Sequence, residues 1–100
     1  MAESDIQTQI IEYLRGRGDC YVVNFGGSAS SAKGTPDLLV CFQGLFLGLE
    51  VKKPIDSYGA TRPQEIRMTQ IRKAGGIGEI VTGIGDVARL LTALESLRKL

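Results

Sequence analysis

Two carboxylates and an amine interrupt an apolar stretch of this chain, at Asp37, Glu50 and Lys52. Leucine, valine and phenylalanine surround them, which is the composition expected of buried β-strands. Charged groups in such a setting need a partner, because an unpaired charge is costly to bury. Residues of these types can share a proton, form an ion pair or bind a hard divalent cation.

A β-hairpin would bring the two acids together. A two-residue turn at Gln43-Gly44 pairs Asp37 with Glu50, although Gln-Gly is a weaker turn signal than Asn-Gly. Side chains alternate between the faces of a strand, so the carboxylates share a face about 5 Å apart at Cβ, and Lys52 projects from the same face. A slip of one residue would exchange the two faces. The opposite face is wholly apolar and is expected to form the core: Leu38, Val40, Phe42, Leu45, Leu47, Leu49 and Val51.

Two ionised carboxylates that face each other repel, and partial burial strengthens the repulsion. One of them can take up a proton, Lys52 can pair with them, or a cation can neutralise both. A single amine matches two carboxylates poorly, and an ion pair would not explain why the acids are there. Mg²⁺ binds one or two carboxylates and completes its shell with waters and phosphate oxygens, so we favour the cation.

The composition excludes several kinds of chemistry. The 100 residues include no histidine, which excludes histidine-based zinc sites, Ser-His-Asp triads and imidazole catalysis. Cys20 and Cys41 lack CxxC spacing, and we interpret them as buried free thiols of a reducing compartment. The N-terminus lacks the pattern of a signal peptide, and no stretch approaches ~20 apolar residues. We therefore expect an intracellular, cytoplasmic protein without a membrane partner.

The length and the pattern of elements predict one α/β domain over residues 1–100. Ser4 and Gln7 indicate a capping box that opens a helix over residues 5–16, which Gly16 and Gly18 would end. The other predicted elements are a strand over 20–25, the two hairpin strands, a helix over 63–74, a strand over 77–82 and a helix over 83–100. The order is α-β-β-β-α-β-α.

Basic residues gather in the middle of the chain. The net charge is only +1, but residues 33–75 hold seven bases against four acids. If those acids hold a divalent cation, this region becomes clearly positive. An evenly solvated surface explains the same counts.

The motifs around the acidic pair resemble a known family. "TPD" followed by "EVK" is similar to the PD-(D/E)xK phosphodiesterase motif, which is weak evidence by itself. With its surroundings, the chain resembles a stand-alone member of the VRR-NUC family, of the kind that phages often encode. The resemblance spans roughly residues 3–92 and rests on these segments: "ESDIQTQIIEYL", "GTPDLLV", "LGLEVKKP", "TRPQ" and "GIGDVARLL".

The resemblance implies a restriction-endonuclease-like α/β fold, with a mixed central sheet flanked by helices, and a Mg²⁺ or Mn²⁺ site. Lys52 would contact the attacking water and the scissile phosphate. Glu3, which matches the family's first-helix glutamate, would complete the metal shell, unless it is an ordinary surface acid. Gln64 would hold the lysine or the water, unless it is merely solvated. The implied metal ligands are Asp37, Glu50 and the main-chain carbonyl of Val51.

Long basic side chains near these motifs are candidate phosphate contacts, which would position DNA without reading its sequence. Taken individually, each such side chain is more often a solvated surface group. Tyr58 would stack on a base or cover the hydrophobic edge. The candidate basic residues are Lys33, Lys53, Arg62, Arg67 and Arg72.

The activity that the resemblance implies is metal-dependent endonucleolytic cleavage of branched DNA. It also implies a homodimer that cuts two strands of a four-way (Holliday) junction, and two sites related by a two-fold axis suit two symmetric strands. One alternative is a non-catalytic DNA-binding or assembly module on the same fold. Others are a flap or nicking nuclease without junction preference and a sequence-specific restriction enzyme, which would need segments that read the major groove.

Overall fold

The structure is a computed structural model, which describes residues 1–26, 33–56 and 59–99. The helices and strands follow the predicted order, α-β-β-β-α-β-α. A 3-10 turn, Pro54–Asp56, precedes the second helix. The elements are α1 (Glu3–Arg17), β1 (Cys20–Asn24), β2 (Leu38–Phe42), β3 (Leu45–Val51), α2 (Arg62–Lys73), β4 (Ile77–Val81) and α3 (Ile84–Arg98).

The four strands form one mixed sheet in the order β1-β2-β3-β4. The first two pairs are antiparallel, and β3 pairs with β4 in parallel. The parallel pair needs a crossover connection, which α2 provides. The predicted mixed sheet with flanking helices is therefore confirmed.

The register of the β2–β3 hairpin is the predicted one. Leu38 pairs with Leu49, and Phe42 pairs with Leu45. The turn residues Gln43 and Gly44 both have positive φ, 49° and 84°, as a type I′ turn requires. Gln43 also donates a hydrogen bond to the Asp19 carboxylate, at 3.2 Å. Because the register is kept, the acids and the apolar set lie on opposite faces of the hairpin.

One face of the sheet holds the core, which α1 and α3 cover. Every predicted core position of the hairpin is buried except Leu45, which is partly buried. The other face carries α2, and two paired glycines allow its close approach. A Cβ on Gly48 would lie 2.6 Å from Ile71, and one on Gly78 would lie 3.3 Å from Met68. Thus α2 packs directly on β3 and β4, the strands on either side of the crossover.

The start of α1 differs from the prediction. Ala2 is the N-cap, so the helix includes Glu3, and the predicted Ser4 capping box is wrong. The Asp5 carboxylate accepts a hydrogen bond from the Ala2 N–H at 3.0 Å, so the N-cap N–H has a partner without Ser4. At the other end, Gly16 lies within the helix, and Gly18, with φ of 82°, ends it.

The prediction that both cysteines are buried is also wrong. Cys41 is exposed and Cys20 is half-buried, and both are free. Cys41 lies on the β2 face opposite Val40 and Phe42, where α2 does not cover the sheet. In the described part of the chain, no helix is long and apolar enough to cross a membrane.

Candidate metal centre

The hairpin places the two acids side by side at its open end. Asp37 immediately precedes β2, and Glu50 is the second-last residue of β3. The Asp37 Oδ2 accepts a hydrogen bond from the Val51 N–H at 2.9 Å. This bond crosses the hairpin and holds the Asp37 carboxylate next to the residue that follows Glu50.

Glu50 is the one buried charged residue in the described part of the chain, with 4% of its surface exposed. Its Oε2 atom is buried and has no hydrogen-bond partner. Burial, together with the neighbouring Asp37 carboxylate, raises the pKa of Glu50 to about 8. The ionised form of Glu50 is therefore unfavourable here unless positive charge compensates it.

The donor atoms at this position suit a hard divalent cation. Mg²⁺ binds carboxylate oxygens, often only one or two, and takes its other ligands from water and substrate. The unpartnered Glu50 oxygen and the adjacent Asp37 carboxylate provide such a pair, and the Val51 carbonyl lies directly after Glu50 in sequence. Among residues 1–26, 33–56 and 59–99, no group of three or more histidine, cysteine or acidic side chains is gathered closely enough for a metal.

Glu3 lies near this pair but outside its immediate cluster. It is half-buried in the first turn of α1, and it lines the same cavity as Asp37. Its negative charge contributes to the raised pKa of Glu50, which places Glu3 within electrostatic reach of the pair. The structure thus brings Glu3 to the edge of the candidate centre.

Lys52 follows β3 on the side of the acids. Its N–H donates to the Val81 carbonyl at 3.0 Å, which extends the parallel pairing by one residue. The positive charge of Lys52 opposes the rise in the Glu50 pKa, so the amine lies within range of that carboxyl. The ion pairs found in the described residues do not include Lys52, which weighs against a simple lysine salt bridge.

Gln64 has a structural partner. The Gln64 side-chain Oε1 accepts a hydrogen bond from the Thr61 main-chain N–H at 2.9 Å, and the Gln64 main-chain N–H donates one to the Thr61 hydroxyl at 3.4 Å. Together these bonds form a capping box at the start of α2. A role of Gln64 toward Lys52 or a water stays a prediction.

The predicted DNA-binding residues differ in their surroundings: two of the arginines have hydrogen-bond partners within the protein, and other basic residues are exposed. The Arg67 guanidinium donates to the Lys33 carbonyl at 3.3 Å, which ties the segment before Asp37 to α2. Arg72 donates twice to the Gly78 carbonyl, at 3.1 and 2.5 Å, and so supports β4. Lys53 and Arg62 are exposed, and Tyr58 lies outside the described residues. Their contacts with DNA remain predictions.

Sequence reasoning missed a polar cluster beside the acids. A cavity of about 400 Å³ is lined by Glu3, Ser4, Gln7, Thr8, Asn24, Gly26 and Asp37. Gln7 and Glu3 are four residues apart on one helix, which places them on the same face. The i, i+4 spacing could have predicted that Gln7 lies beside Glu3, but Gln7 was assigned to the capping box instead.

Comparison with known proteins gives one consistent result. No family model matches the sequence, and no curated protein matches it. A solved structure described as a "VRR_NUC domain" is 25% identical, with a TM-score of 0.66 over 90% of this chain and 94% of that one. Another, described as a "VRR_NUC domain protein", is 22% identical, with a TM-score of 0.70 over 92% and 86%.

The mixed sheet and its three helices therefore define an α/β fold of the nuclease class. The resemblance that the sequence motifs indicated is confirmed by the structural matches. The chain shares its fold with these VRR_NUC domain structures.

Proposed function

We propose that this chain is a Mg²⁺- or Mn²⁺-dependent endodeoxyribonuclease that hydrolyses phosphodiester bonds in structured DNA. One observation carries the proposal: a buried Glu50 oxygen without a partner lies beside the Asp37 carboxylate, on a VRR-NUC nuclease fold. A carboxylate pair in that state favours a divalent cation, and the fold class supplies the context of DNA cleavage.

The site residues would have two roles, to bind the cation and to stabilise the phosphate. Asp37, Glu50 and the Val51 carbonyl would hold the cation. When bound, such a cation neutralises phosphate oxygens and lowers the pKa of a water. Lys52 would donate to the scissile phosphate and stabilise the charge that develops on it, since no histidine exists to act there.

The remaining site residues would orient and bind. Glu3 would add negative charge at the edge of the metal shell. Gln64 would orient Lys52 or the attacking water from the start of α2. Tyr58 would stack on a base. The phosphate contacts would come from the basic residues of the central region: Lys33, Lys53, Arg62, Arg67 and Arg72.

We further propose that the substrate is a four-way junction and that the enzyme is a homodimer acting inside the cell as a single-domain protein. The family resemblance supports this proposal, and symmetry makes it coherent, because two identical sites can address two equivalent strands. A non-catalytic module of the same fold would not need Glu50 to be buried beside a second acid.

A cleavage assay tests the activity. The purified protein is incubated with a four-way junction, a flap and a linear duplex, with Mg²⁺ or Mn²⁺ and then with EDTA. We expect preferential junction cutting that EDTA stops, and loss of cutting in Asp37→Ala while junction binding persists. The control is Lys99→Ala, at the far end of α3. Cutting by Asp37→Ala, or cutting in EDTA, would refute the proposal.

The same preparation tests the assembly. Sedimentation at the concentration used for cutting should give twice the mass of one chain. A monomer that still cuts both strands of a junction would contradict the paired-site proposal and leave the metal-dependent cleavage standing.

A further inference from the structure

Asn24, at the end of β1, joins segments that are distant in sequence. Its side-chain Oδ1 accepts a hydrogen bond from Gln7 Nε2 at 2.7 Å and another from the Gly26 N–H at 2.9 Å. The first bond attaches the second turn of α1 to the end of the sheet. The second fixes the orientation of the Asn24 amide, because its oxygen is then occupied from both sides. We call Gln7 and Asn24 the amide clamp.

The clamp is continuous with the backbone of Asp37. The N–H groups of Phe25 and Gly26 both donate to the Asp37 carbonyl, at 2.8 and 3.1 Å. Gly26 is packed tightly against the clamp, since a Cβ there would lie 2.4 Å from Gln7 Nε2. The exit of β1 is therefore fixed on one side to a candidate metal ligand and on the other side to α1.

Glu3 is one helical turn before Gln7, on the same face of α1. Glu3, Asp37 and both clamp residues line the same cavity. The position of the first turn of α1 decides how far the Glu3 carboxylate is from the Asp37–Glu50 pair. The next turn of α1 is hydrogen-bonded to β1 through Gln7 and Asn24.

We propose that Gln7 and Asn24 are positioning residues, which hold the first turns of α1 so that Glu3 faces a cation bound by Asp37 and Glu50. This inference rests on the proposed function, because it requires that cation. Neither clamp residue touches the metal or the DNA in this account. Their effect on metal affinity passes through Glu3.

The test is the affinity of the intact protein for Mn²⁺, measured by isothermal titration calorimetry without DNA. Gln7→Ala should bind Mn²⁺ about 10-fold more weakly, the size typical of lost support for a metal ligand. Alanine favours the helix, so α1 should remain formed, and the melting temperature should confirm this. Gln9→Ala is the matched control, because Gln9 is an exposed glutamine on the same helix. It should bind like wild type.

A double-mutant cycle isolates the route of the effect. Glu3→Gln alone should weaken Mn²⁺ binding, and adding Gln7→Ala to it should cause no further loss beyond about two-fold. Wild-type affinity in Gln7→Ala would overturn the inference. So would a loss from Gln7→Ala that is as large in the Glu3→Gln background as in wild type.

One more variant separates this inference from the proposed function. Asp37→Ala should abolish Mn²⁺ binding. If Asp37→Ala binds like wild type, the proposed metal centre fails, and the clamp inference fails with it. If Asp37→Ala loses binding while Gln7→Ala keeps it, the clamp inference alone is overturned.

Discussion

Glu50 has an unusual environment for a carboxylate. It lies in a strand between Leu49 and Val51, both fully buried, and one of its oxygens has no hydrogen-bond partner. Native proteins leave few buried polar atoms unpaired, and the exceptions often mark ion sites or catalytic groups. At this residue, either a proton or a cation must offset the cost of burial.

The metal-free protein should therefore lose stability as the pH rises. The pKa of Glu50 is about 8 in the fold, compared with 4.5 for the ordinary side chain. Between these values the folded state binds more protons than the unfolded state, so the free energy of unfolding falls with increasing pH. Thermal unfolding in EDTA at pH 5, 6, 7 and 8 should show a falling melting temperature in wild type and a flatter profile in Glu50→Gln.

The control for this profile is Glu79→Gln, which removes an exposed carboxyl from β4. It should retain the wild-type slope. Equal slopes in wild type and Glu50→Gln would show that Glu50 does not titrate in this range. If the proposed metal centre is right, saturating Mn²⁺ at pH 8 should also raise the melting temperature of wild type, since a ligand that binds only the folded state stabilises it.

Lys52 has a different expected effect from that of the acids. Lys52→Ala should reduce the cleavage rate by about 10²–10³-fold, the size typical of one lost group that stabilises transition-state charge. Because Lys52 is not a metal ligand in this account, Mn²⁺ affinity should stay within a few-fold of wild type. Single-turnover cleavage and calorimetry measure the two quantities separately. Near-normal cleavage by Lys52→Ala would exclude its assigned role.

At the scale of elements, the segment that leads into Asp37 is fitted closely to α2. Gly34 has φ of 84°, and a Cβ on it would lie 2.3 Å from the Pro63 carbonyl oxygen. Arg67 donates to the carbonyl of the preceding residue, Lys33. The start of α2 therefore fixes the backbone only three residues before the candidate metal ligand.

A comparison of two glycines tests this packing. Gly44 has the same φ of 84°, but a Cβ on it would meet nothing within 4 Å. Gly44→Ala should cost about 1–2 kcal/mol, from backbone strain alone. Gly34→Ala should cost about 2–4 kcal/mol, because overpacking against α2 adds to the strain. Urea unfolding measures both, and equal losses would show that the Gly34 contact is not restrictive.

The elements that the sequence predicted correctly are those with a strong local pattern. The alternation of β2 and β3 fixed the register, because a slip would have exposed seven apolar residues and buried the acids with the core. The start of α1 could not be predicted in this way. Ser4 and Gln7 match a capping-box pattern, but the contact that forms, between the Ala2 N–H and the Asp5 carboxylate, depends on geometry that a pattern does not contain.

The candidate site was predictable to a similar extent. Period-two alternation was enough to place Asp37, Glu50 and Lys52 on one face. The near-complete burial of Glu50 and the contact between Gln7 and Asn24 were not predictable, since both depend on how elements distant in sequence pack together. Contacts across 17 residues leave no periodic trace in one sequence.

At the scale of the whole molecule, one arginine connects the two helices of the core face. Arg17, at the end of α1, pairs with Asp19 at 3.0 Å and with Glu95 of α3 at 2.9 Å. Its guanidinium also lies 5.3 Å from the centre of the Phe42 ring. This network is at the opposite end of α1 from Glu3, so it supports the fold without contacting the candidate metal centre.

Arg17→Ala should therefore lower stability and leave metal binding unchanged. We expect a loss of about 1–2 kcal/mol, because the half-buried side chain loses packing on Phe42 as well as its ion pairs. Urea unfolding measures the loss, with Arg15→Ala, an exposed arginine of the same helix, as the control. A change of several-fold in Mn²⁺ affinity would contradict the separation of the two ends of α1.

The most direct test of the account is anomalous diffraction from crystals of the protein grown or soaked in Mn²⁺. We predict an anomalous peak within coordination distance, about 2.0–2.5 Å, of carboxylate oxygens from both Asp37 and Glu50. Absence of a peak there, or carboxylates that point apart with the ion elsewhere, would contradict the central claim that these two acids form a divalent-cation site.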